Sequence, residues 1–486
     1  MVVKPLYSIL TNIFAWPSNN IEFGATWVSL ITGVLLIVPL FYLTKWIAGS
    51  DAAWISIIIT AFNPGLIYYS TVILTESMYT FVLLITITAG FWILRRRLPV
   101  YSWALLGILV GISLLGRDVA MIGIPLFLFW ILLSAITSGS GYKKVLLCVA
   151  LFIAGIMFFK GFYTVVNIRK EFKTHPMSEM IVKSLTQPDL RNLNERERYL
   201  SILTVDGKDY MYNQHKDMDK DIIEVIWENR RDIAMNFGIN LLGHIKVISG
   251  SFSSLLIVLL LLGLASNIVY GPDIIHRFYL ISWVVVYVLF YVSAGVYTGA
   301  IGPERYLVPI FPVLLIWVGM GIKWVSEMIV LIVRNILKFP LVIKYLITAV
   351  LSLLIIFSYV PGIKANLRMG AWGRINNKKS PYQMVGETIG RKYPGSLIMT
   401  RRSEIPYYAM ASWLLIPYEP IDRIISFAKD KGVDLILIDP DTAKTRPHLA
   451  HLLKQDVEIK GLELVYGFRN PTGKGLLFLA VYRVEK

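Results

Sequence analysis

Charged side chains are scarce in the apolar part of this sequence, and the few that occur there could act on an ionic substrate. Glu76 interrupts the run YYSTVILTESMYTFVLL, residues 68–84, which otherwise consists of apolar and hydroxyl-bearing side chains. A charge at the centre of a bilayer costs at least ~2.5 kcal/mol, so we expect Glu76 at a helix end and in a functional role. Arginine or lysine beside a carboxylate suits a lipid phosphate leaving group and a hydroxyl that must lose a proton. Other charged or polar residues that adjoin apolar stretches are Lys4, Arg117, Asp118, His244, Glu304 and Arg305.

Each of these residues also has a purely structural explanation. Glu76 would be favoured at a helix N-terminus by the helix dipole. Arg117 could form a local ion pair with Asp118, and residues 304–306 have the composition of an interfacial anchor. If all of them gather at one membrane face, an ionic substrate becomes the better explanation.

The composition places the protein in a membrane. The chain has 486 residues, of which 56% are hydrophobic and 16% charged, and its mean hydropathy is +0.61. Apolar stretches of about 20 residues, enough to span a bilayer as a helix, recur between Gly24 and Pro361. We predict a polytopic α-helical domain over 1–361, with a large outer loop at 164–250, and a small soluble α/β domain over 362–486.

Ten spans are predicted, with breaks or short helices around Pro64 and Gly116. Their ranges are 25–47, 52–72, 75–95, 101–117, 119–137, 143–163, 251–271, 278–297, 306–328 and 341–361. Basic residues collect in alternate short connections and make those connections cytoplasmic; they are Lys45, Arg95, Arg96, Arg97, Lys143, Lys144, His276, Arg277, Arg334, Lys338 and Lys344. The net charge of +16 therefore reflects topology and does not indicate a nucleic-acid partner.

This topology predicts a multi-pass protein of the cytoplasmic membrane with its C-terminal domain outside. The candidate site residues then share the outer face. Met1 would also lie outside, yet the first 20 residues carry no export signal. We therefore expect a helix and an outer loop upstream of Met1, and a miscounted span is the alternative.

The spacing of residues in the sequence argues against several well-known nucleotide-binding and metal-binding motifs. The sequence has no Walker-type glycine loop, no HExxH and no His/Cys metal-ligand spacing. The acids of DMDKDIIEVIWE, 217–228, are spaced as in a calcium loop, but Ile222 stands where such a loop needs glycine. The DPD at 439–441 is interpreted as a strand end followed by a proline turn. Cys148, the single cysteine, lies in an apolar span and is expected to be a packing residue.

Four segments occur in an order that is known from a protein family. They are KPLYSILTNIFAWPSNNIEFGATWVSLITGVLLIVPLFYL, FNPGLIYYSTVILTESMYTFVLL, LGILVGISLLGRDVAMIGIPLFLFWIL and GPERYLVPIFPVLLIWVGMGI. The series resembles the GT-C membrane glycosyltransferases, and most of all the protein O-mannosyltransferase and lipid A aminoarabinose transferase (PMT/ArnT-like) relatives. The resemblance covers roughly residues 1–330.

The resemblance implies transfer of a hexose or pentose from a polyprenyl-phosphate donor to a lipid, glycan or protein acceptor on the outer face. Lys4, Arg117 and Arg305 match residues that approach the carrier phosphate, together with Tyr306. Glu76 matches an acid that borders the active site and would serve the acceptor or a metal. Secondary candidates are Asp118, Glu304 and His244. No cofactor is implied with certainty, and a divalent metal stays open.

The sequence departs from the family at its start. The family carries its principal catalytic carboxylate on a first outer loop, upstream of the residues that match Lys4-Pro5, whereas this chain begins at that pair. The departure again predicts a missing N-terminal helix and loop. If Met1 is the true start, Glu76 is the remaining candidate for the base.

The C-terminal domain reads as a small α/β unit. SLIMT, VDLILID, LELVYGFR and LLFLAVYRV are strand-like, and EPIDRIISFAKDKG is an amphipathic helix. We expect this domain to lie over the membrane site and to contact the acceptor; a packing role alone is the alternative.

Two rival functions stay open. A secondary transporter or lipid flippase would usually show repeated halves and mid-membrane charges, whereas here no repeat is visible and Lys160 lies near an outer helix end. An inactive scaffold that keeps the fold without the chemistry is the third alternative.

Overall fold

The computed structural model shows a set of apolar helices and a small mixed sheet. It describes residues 5–139, 141–166, 203–206, 209–212, 227, 230–293, 304–333, 340–369, 381–454, 459–469 and 477–485. The chain divides into two compact units, Met1–Leu185 with Arg230–Gly373 and Thr186–Asn229 with Arg374–Lys486. The first unit is helical, and the second contains the sheet.

The described part of the first unit contains fifteen α-helices. In chain order they are α1 Pro5–Ala15, α2 Ile21–Leu35, α3 Ile37–Ala48, α4 Ser50–Ala61, α5 Pro64–Thr71, α6 Glu76–Arg96, α7 Ser102–Gly116, α8 Gly123–Ser138, α9 Tyr142–Val166, α10 Arg230–Ser251, α11 Ser254–Tyr270, α12 Ile274–Ser293, α13 Glu304–Leu307, α14 Phe311–Val333 and α15 Pro340–Met369. Short 3₁₀ helices, Asp118–Ile122 and Val308–Ile310, precede α8 and α14.

The lengths and apolar character of these helices match a membrane protein. Within the described ranges, seven segments are long and apolar enough to cross a bilayer, and two bent pairs, α4 with α5 and α10 with α11, each qualify as a broken span. The short apolar helix α7 accounts for the remaining predicted span. Every predicted span therefore has a helical counterpart, and the chain is a multi-pass integral membrane protein.

Two helices begin three or four residues away from the approximate predicted positions, because local hydrogen bonds fix where each helix starts. The span predicted at 251–271 begins only at Ser254, after a 110° bend from α10, and Ser253 caps it by accepting the Leu256 N–H. Helix α12 begins four residues before the predicted 278, because Oδ1 of Asp273 accepts the His276 N–H at 2.9 Å.

Two prolines have opposite effects. The predicted break at Pro64 is confirmed: α4 and α5 meet at 58°, and Asn63 caps α5 by accepting the Leu66 N–H at 3.1 Å. The last span is predicted to end near 361, but Pro361 lies inside α15, which continues to Met369. A proline removes only one main-chain donor, so a helix in a membrane can continue past it.

Helices α11 and α14 approach so closely that only glycine fits between them. A Cβ on Gly263 would lie 1.7 Å from the main-chain oxygen of Trp317, and one on Gly321 would lie 2.0 Å from that of Leu259. Association of helices in lipid depends on such close packing, because the solvent is as apolar as the side chains. Cys148 is buried in α9, as predicted for a packing residue.

The second unit contains a hairpin and a five-stranded sheet. Its described elements are β1 Leu203–Asp206, β2 Asp209–Tyr212, α16 Pro381–Lys392, β3 Leu397–Met399, α17 Glu404–Tyr408, β4 Ser412–Leu414, α18 Ile421–Asp430, β5 Leu435–Ile438, α19 Pro440–Thr445, a 3₁₀ helix Pro447–Leu453, β6 Leu462–Arg469 and β7 Leu477–Val484. The strand order is β4-β3-β5-β7-β6. Strands β4, β3 and β5 run parallel, and β7 and β6 continue the sheet antiparallel.

The four predicted strands and the predicted amphipathic helix of this unit are confirmed. Strand β5 is buried on both faces, with helices packed on each side. Strand β4 was not predicted, because it is a three-residue edge strand whose first two residues are exposed. The DPD segment does follow a strand, but Pro440 opens a short helix there and not a simple turn: Oδ1 of Asp439 caps it by accepting the Thr442 N–H at 2.7 Å.

Candidate active site

Three charged side chains from separate parts of the chain meet at the N-terminus of α6. Glu76 is the first residue of α6, and its side chain is fully buried. Arg117 follows α7 in extended backbone (φ −155°, ψ 143°), which turns the chain out of the helix. Arg305 lies in the four-residue helix α13. The packing of the apolar helices thus places two cations beside one acid.

Both guanidinium groups approach the same oxygen of Glu76. Nη2 of Arg117 donates a hydrogen bond to Oε1 of Glu76 and a longer one, 3.4 Å, to Oγ1 of Thr75. Nε of Arg305 lies 2.9 Å from the same Oε1, an ion-pair distance, although its N–H makes no hydrogen bond within the described residues. Two positive charges thus face one negative charge. The excess favours an anionic ligand.

Aromatic rings flank the two guanidinium groups. The ring of Tyr306 lies 5.2 Å from the guanidinium carbon of Arg305 and 6.0 Å from that of Arg117. The ring of Tyr79 lies 5.8 Å from the guanidinium of Arg117, and the hydroxyl of Tyr287 donates to the carbonyl oxygen of Tyr306 at 3.1 Å. Ring faces attract cations by ~0.5–2 kcal/mol each, so Tyr306 helps to position both arginines and Tyr79 helps to position Arg117.

Besides Nε of Arg305, two buried polar atoms in this cluster lack a hydrogen-bond partner in the part of the chain that the structure describes. They are Oε2 of Glu76 and the hydroxyl of Tyr79, and both side chains are fully buried. Tyr79 lies three residues after Glu76 on α6 and therefore on a neighbouring part of the same helix face. Buried polar atoms nearly always form hydrogen bonds, so these two indicate a place for a ligand hydroxyl or a water.

The structure brings together Glu76, Arg117, Arg305 and Tyr306 among the predicted site residues. Lys4 lies outside the described residues, and Glu304 begins α13 with a side chain that is likewise not described. Asp118 begins the 3₁₀ helix before α8 and is exposed. His244 is buried in α10, where its Nδ1 lies 2.8 Å from the carbonyl oxygen of Asn240.

Tyr79 and Tyr287 belong to this cluster, but the sequence reasoning missed them. Tyrosine is common in apolar helices, so its presence alone carried no signal. The spacing of Tyr79 from Glu76 was the one available clue, because residues three apart on a helix are neighbours. The position of Tyr287 depends on α12 packing near α13, which no local pattern reveals.

A metal site does not form among the described residues. They contain no group of three or more His, Cys, Asp or Glu side chains that could hold an ion. Glu76 could supply one ligand through its unpartnered Oε2, and the predicted dependence on a divalent metal stays a prediction.

Comparisons with known proteins give structural matches only. No protein-family model and no curated protein sequence matches the chain. ArnT from Cupriavidus metallidurans bound to undecaprenyl phosphate is similar with a TM-score of 0.53 and 12% identity, over 99% of this chain and 87% of ArnT. Apo ArnT gives a TM-score of 0.55 at 11% identity with the same coverage. The chain has a GT-C fold.

A second GT-C structure supports the same conclusion. The Archaeoglobus fulgidus oligosaccharyltransferase in complex with Zn and sulfate has a TM-score of 0.54 at 12% identity, over 98% of this chain and 64% of that protein. The PMT/ArnT-like fold expected from the ordered sequence segments is therefore confirmed, including a small C-terminal sheet domain. At this level of identity the likeness concerns the fold of the GT-C chain.

Proposed function

We propose that this chain is a membrane glycosyltransferase that moves a sugar from a polyprenyl-phosphate donor to a lipid, glycan or protein acceptor at the outer face of the cytoplasmic membrane. The observation that supports this most directly is the buried carboxylate of Glu76 held by Arg117 and Arg305 in a GT-C fold. ArnT, which shares the fold, binds undecaprenyl phosphate.

The donor phosphate would bind to the two arginines. Guanidinium groups bind phosphate oxygens through paired, charge-assisted hydrogen bonds, and the excess positive charge of the cluster suits a phosphate that becomes more negative as the sugar leaves. Tyr306 keeps both guanidinium groups in place. Lys4 is proposed as a further phosphate contact on the strength of the family resemblance.

Before the phosphate binds, Glu76 is the ion-pair partner of both arginines. A phosphate that binds Arg117 and Arg305 replaces Oε1 of Glu76 as their partner. The released carboxylate can then accept the proton of an acceptor hydroxyl while that oxygen forms a bond to the anomeric carbon of the sugar. The bond between the anomeric carbon and the phosphate oxygen breaks, and its electron pair leaves with the polyprenyl phosphate, which the two arginines stabilise. The hydroxyl of Tyr79 is available to orient the acceptor.

The distribution of charge supports an outer position for this site. Helix α6 has Glu76 at its first residue and Arg95 and Arg96 in its last turn, so the candidate site and the basic connection lie at opposite ends of one span. By the positive-inside rule the basic end is cytoplasmic.

Binding of undecaprenyl phosphate to the purified full chain tests the phosphate site. We expect Arg117→Ala and Arg305→Ala each to weaken this binding about tenfold or more, because each removes a charge-assisted hydrogen bond. Arg95→Ala is the matched control: it removes an arginine from the far end of α6, where Arg95 donates to the carbonyl oxygen of Trp46, and it should leave binding unchanged.

Sugar transfer is then measured with labelled polyprenyl-phosphate hexoses and pentoses in proteoliposomes that contain lipid, glycan and peptide acceptors. Transfer that is lost in both arginine variants supports the proposal. Equal binding of undecaprenyl phosphate by wild type and both variants would overturn the phosphate site. Counterflow of a solute without transfer would indicate a transporter or flippase, and binding without any transfer would indicate an inactive scaffold.

A further inference from the structure

Buried hydroxyl groups link the residues on either side of Glu76 to helix α2. Ser77, the residue after Glu76, donates its Oγ hydrogen to the main-chain carbonyl oxygen of Ser29 at 2.9 Å. Oγ of Ser29 in turn donates to the carbonyl oxygen of Leu74, two residues before Glu76, at 3.3 Å. Both serines are buried. Ser29 therefore contacts the chain before and after the carboxylate of the candidate site.

The same serine also contacts α1. The hydroxyl of Tyr7 lies 3.2 Å from Oγ of Ser29, a hydrogen-bond distance, and it donates to the carbonyl oxygen of Ala25 on α2 at 3.1 Å. Tyr7 belongs to the first turn of α1 and follows Lys4, the phosphate contact proposed from the family resemblance, by three residues. Ser29 thus joins the start of α1 to the start of α6.

The start of α6 depends on contacts of this kind from other helices. Residues 72–75, between α5 and α6, form neither helix nor strand. Thr75 at the N-cap position makes no capping hydrogen bond with its side chain. The first turn of a helix without such a cap has N–H groups that lack an internal partner, and it frays easily. The two links to Ser29 therefore help to fix where α6 begins and where the carboxylate of Glu76, its first residue, lies.

We propose that Ser29 is a positioning residue for Glu76 and keeps its carboxylate where it can accept the proton of the acceptor hydroxyl. This role rests on the proposed glycosyltransferase function and acts through Glu76. In the described part of the chain, the hydrogen bonds of Ser29 go to α1, to α2 and to the residues around Glu76, whereas none goes to Arg117 or Arg305. Loss of the Ser29 hydroxyl should therefore slow proton transfer without weakening the binding of the donor phosphate.

Ser29→Ala in the full chain tests this role, because it removes Oγ and leaves the carbonyl oxygen that Ser77 uses. A misplacement of about 1 Å can cost on the order of a hundredfold in rate, so we expect the maximal rate of sugar transfer in proteoliposomes to fall about tenfold. Undecaprenyl phosphate should bind no more weakly than to wild type. Thr88→Val is the matched control: it removes a buried hydroxyl further along α6 that donates to the carbonyl oxygen of Pro39 at 3.3 Å, and it should change neither quantity.

A slower transfer in Ser29→Ala with donor binding retained supports the positioning role. Equal losses of transfer and donor binding would show a structural role only and would overturn the proposal, as would an equal loss of transfer in Thr88→Val. Ser77→Ala removes the second link to α2 and should show the same split, which keeps the test decisive if Ser29→Ala does not fold. No transfer by wild type would overturn the proposed function and this role together, whereas unchanged transfer by Ser29→Ala in an active protein would overturn this role alone.

Discussion

Replacement of Glu76 by glutamine should move donor binding and sugar transfer in opposite directions. The side chain is fully buried, and glutamine keeps its shape while removing its charge. Arg117 and Arg305 then lose the carboxylate that competes with a phosphate. Glutamine cannot accept the proton of the acceptor hydroxyl, so transfer should fall while binding of undecaprenyl phosphate becomes tighter.

The contacts of Glu76 set the size of the expected change in phosphate binding and of the expected change in stability. In wild type the phosphate must displace the charge-assisted hydrogen bond between Arg117 and Glu76, which is worth about 1.5 kcal/mol or more. Its loss should tighten binding about tenfold. Without ligand, the variant leaves Arg117 and Arg305 with no carboxylate between them, which should lower its free energy of unfolding by about 3 kcal/mol. This is the lower end of the range for buried pairs, because the Arg305 side chain is 36% exposed.

Titration of undecaprenyl phosphate into purified wild type and Glu76→Gln, in the same detergent, measures the predicted change. The apparent melting temperature of the variant should be lower without the lipid and should rise more than that of wild type when the lipid is added. Asp51→Asn is the control, because Asp51 pairs with Lys344 at the far end of the bundle. Weaker or unchanged binding in Glu76→Gln would refute the competition, and unchanged transfer would refute the role of Glu76 as base.

Two further predictions concern stability. Gly263→Ala should lower the yield and the apparent melting temperature of the folded protein, because its Cβ would lie 1.7 Å from a main-chain oxygen of α14, whereas Gly250→Ala, with nothing within 4 Å, should be neutral or slightly stabilising. Arg402→Ala should increase hydrogen exchange in β5 and α19, since it leaves the carboxylate of Asp439, only 2% exposed, without its cation. Arg483→Ala breaks a pair that is half exposed on both sides and should leave exchange unchanged.

The membrane helices could be predicted from the sequence because each is a local run of apolar residues long enough to cross a bilayer. Their ends were harder to predict, since these depend on single hydrogen bonds such as the cap from Asp273. The end of the last helix was equally hard to predict, because whether Pro361 stops the helix depends on the surroundings of the helix and not on the residue type alone.

The candidate site was predicted in part. The residue types of Glu76, Arg117 and Arg305 indicated acid and phosphate chemistry, because a charged side chain in an apolar membrane segment is energetically costly and is usually functional. Their sharing of one carboxylate oxygen could not be predicted, because the two arginines belong to segments far apart in the sequence. Tyr79 was missed for a related reason: an unpartnered hydroxyl is recognised only when its whole surroundings are known.

The sequence by itself thus determined that the chain enters a membrane, roughly where its helices lie, and which rare charges they carry. The free energy of transferring a helix from water into lipid is a sum over residues that are neighbours in the sequence. It can therefore be estimated from the sequence alone. Only the tertiary structure decided that Glu76 faces two arginines and that its Oε2 is buried without a partner among the described residues. Ion pairs and hydrogen bonds depend on a few ångströms between side chains of different helices, and the close packing of the helices sets those distances.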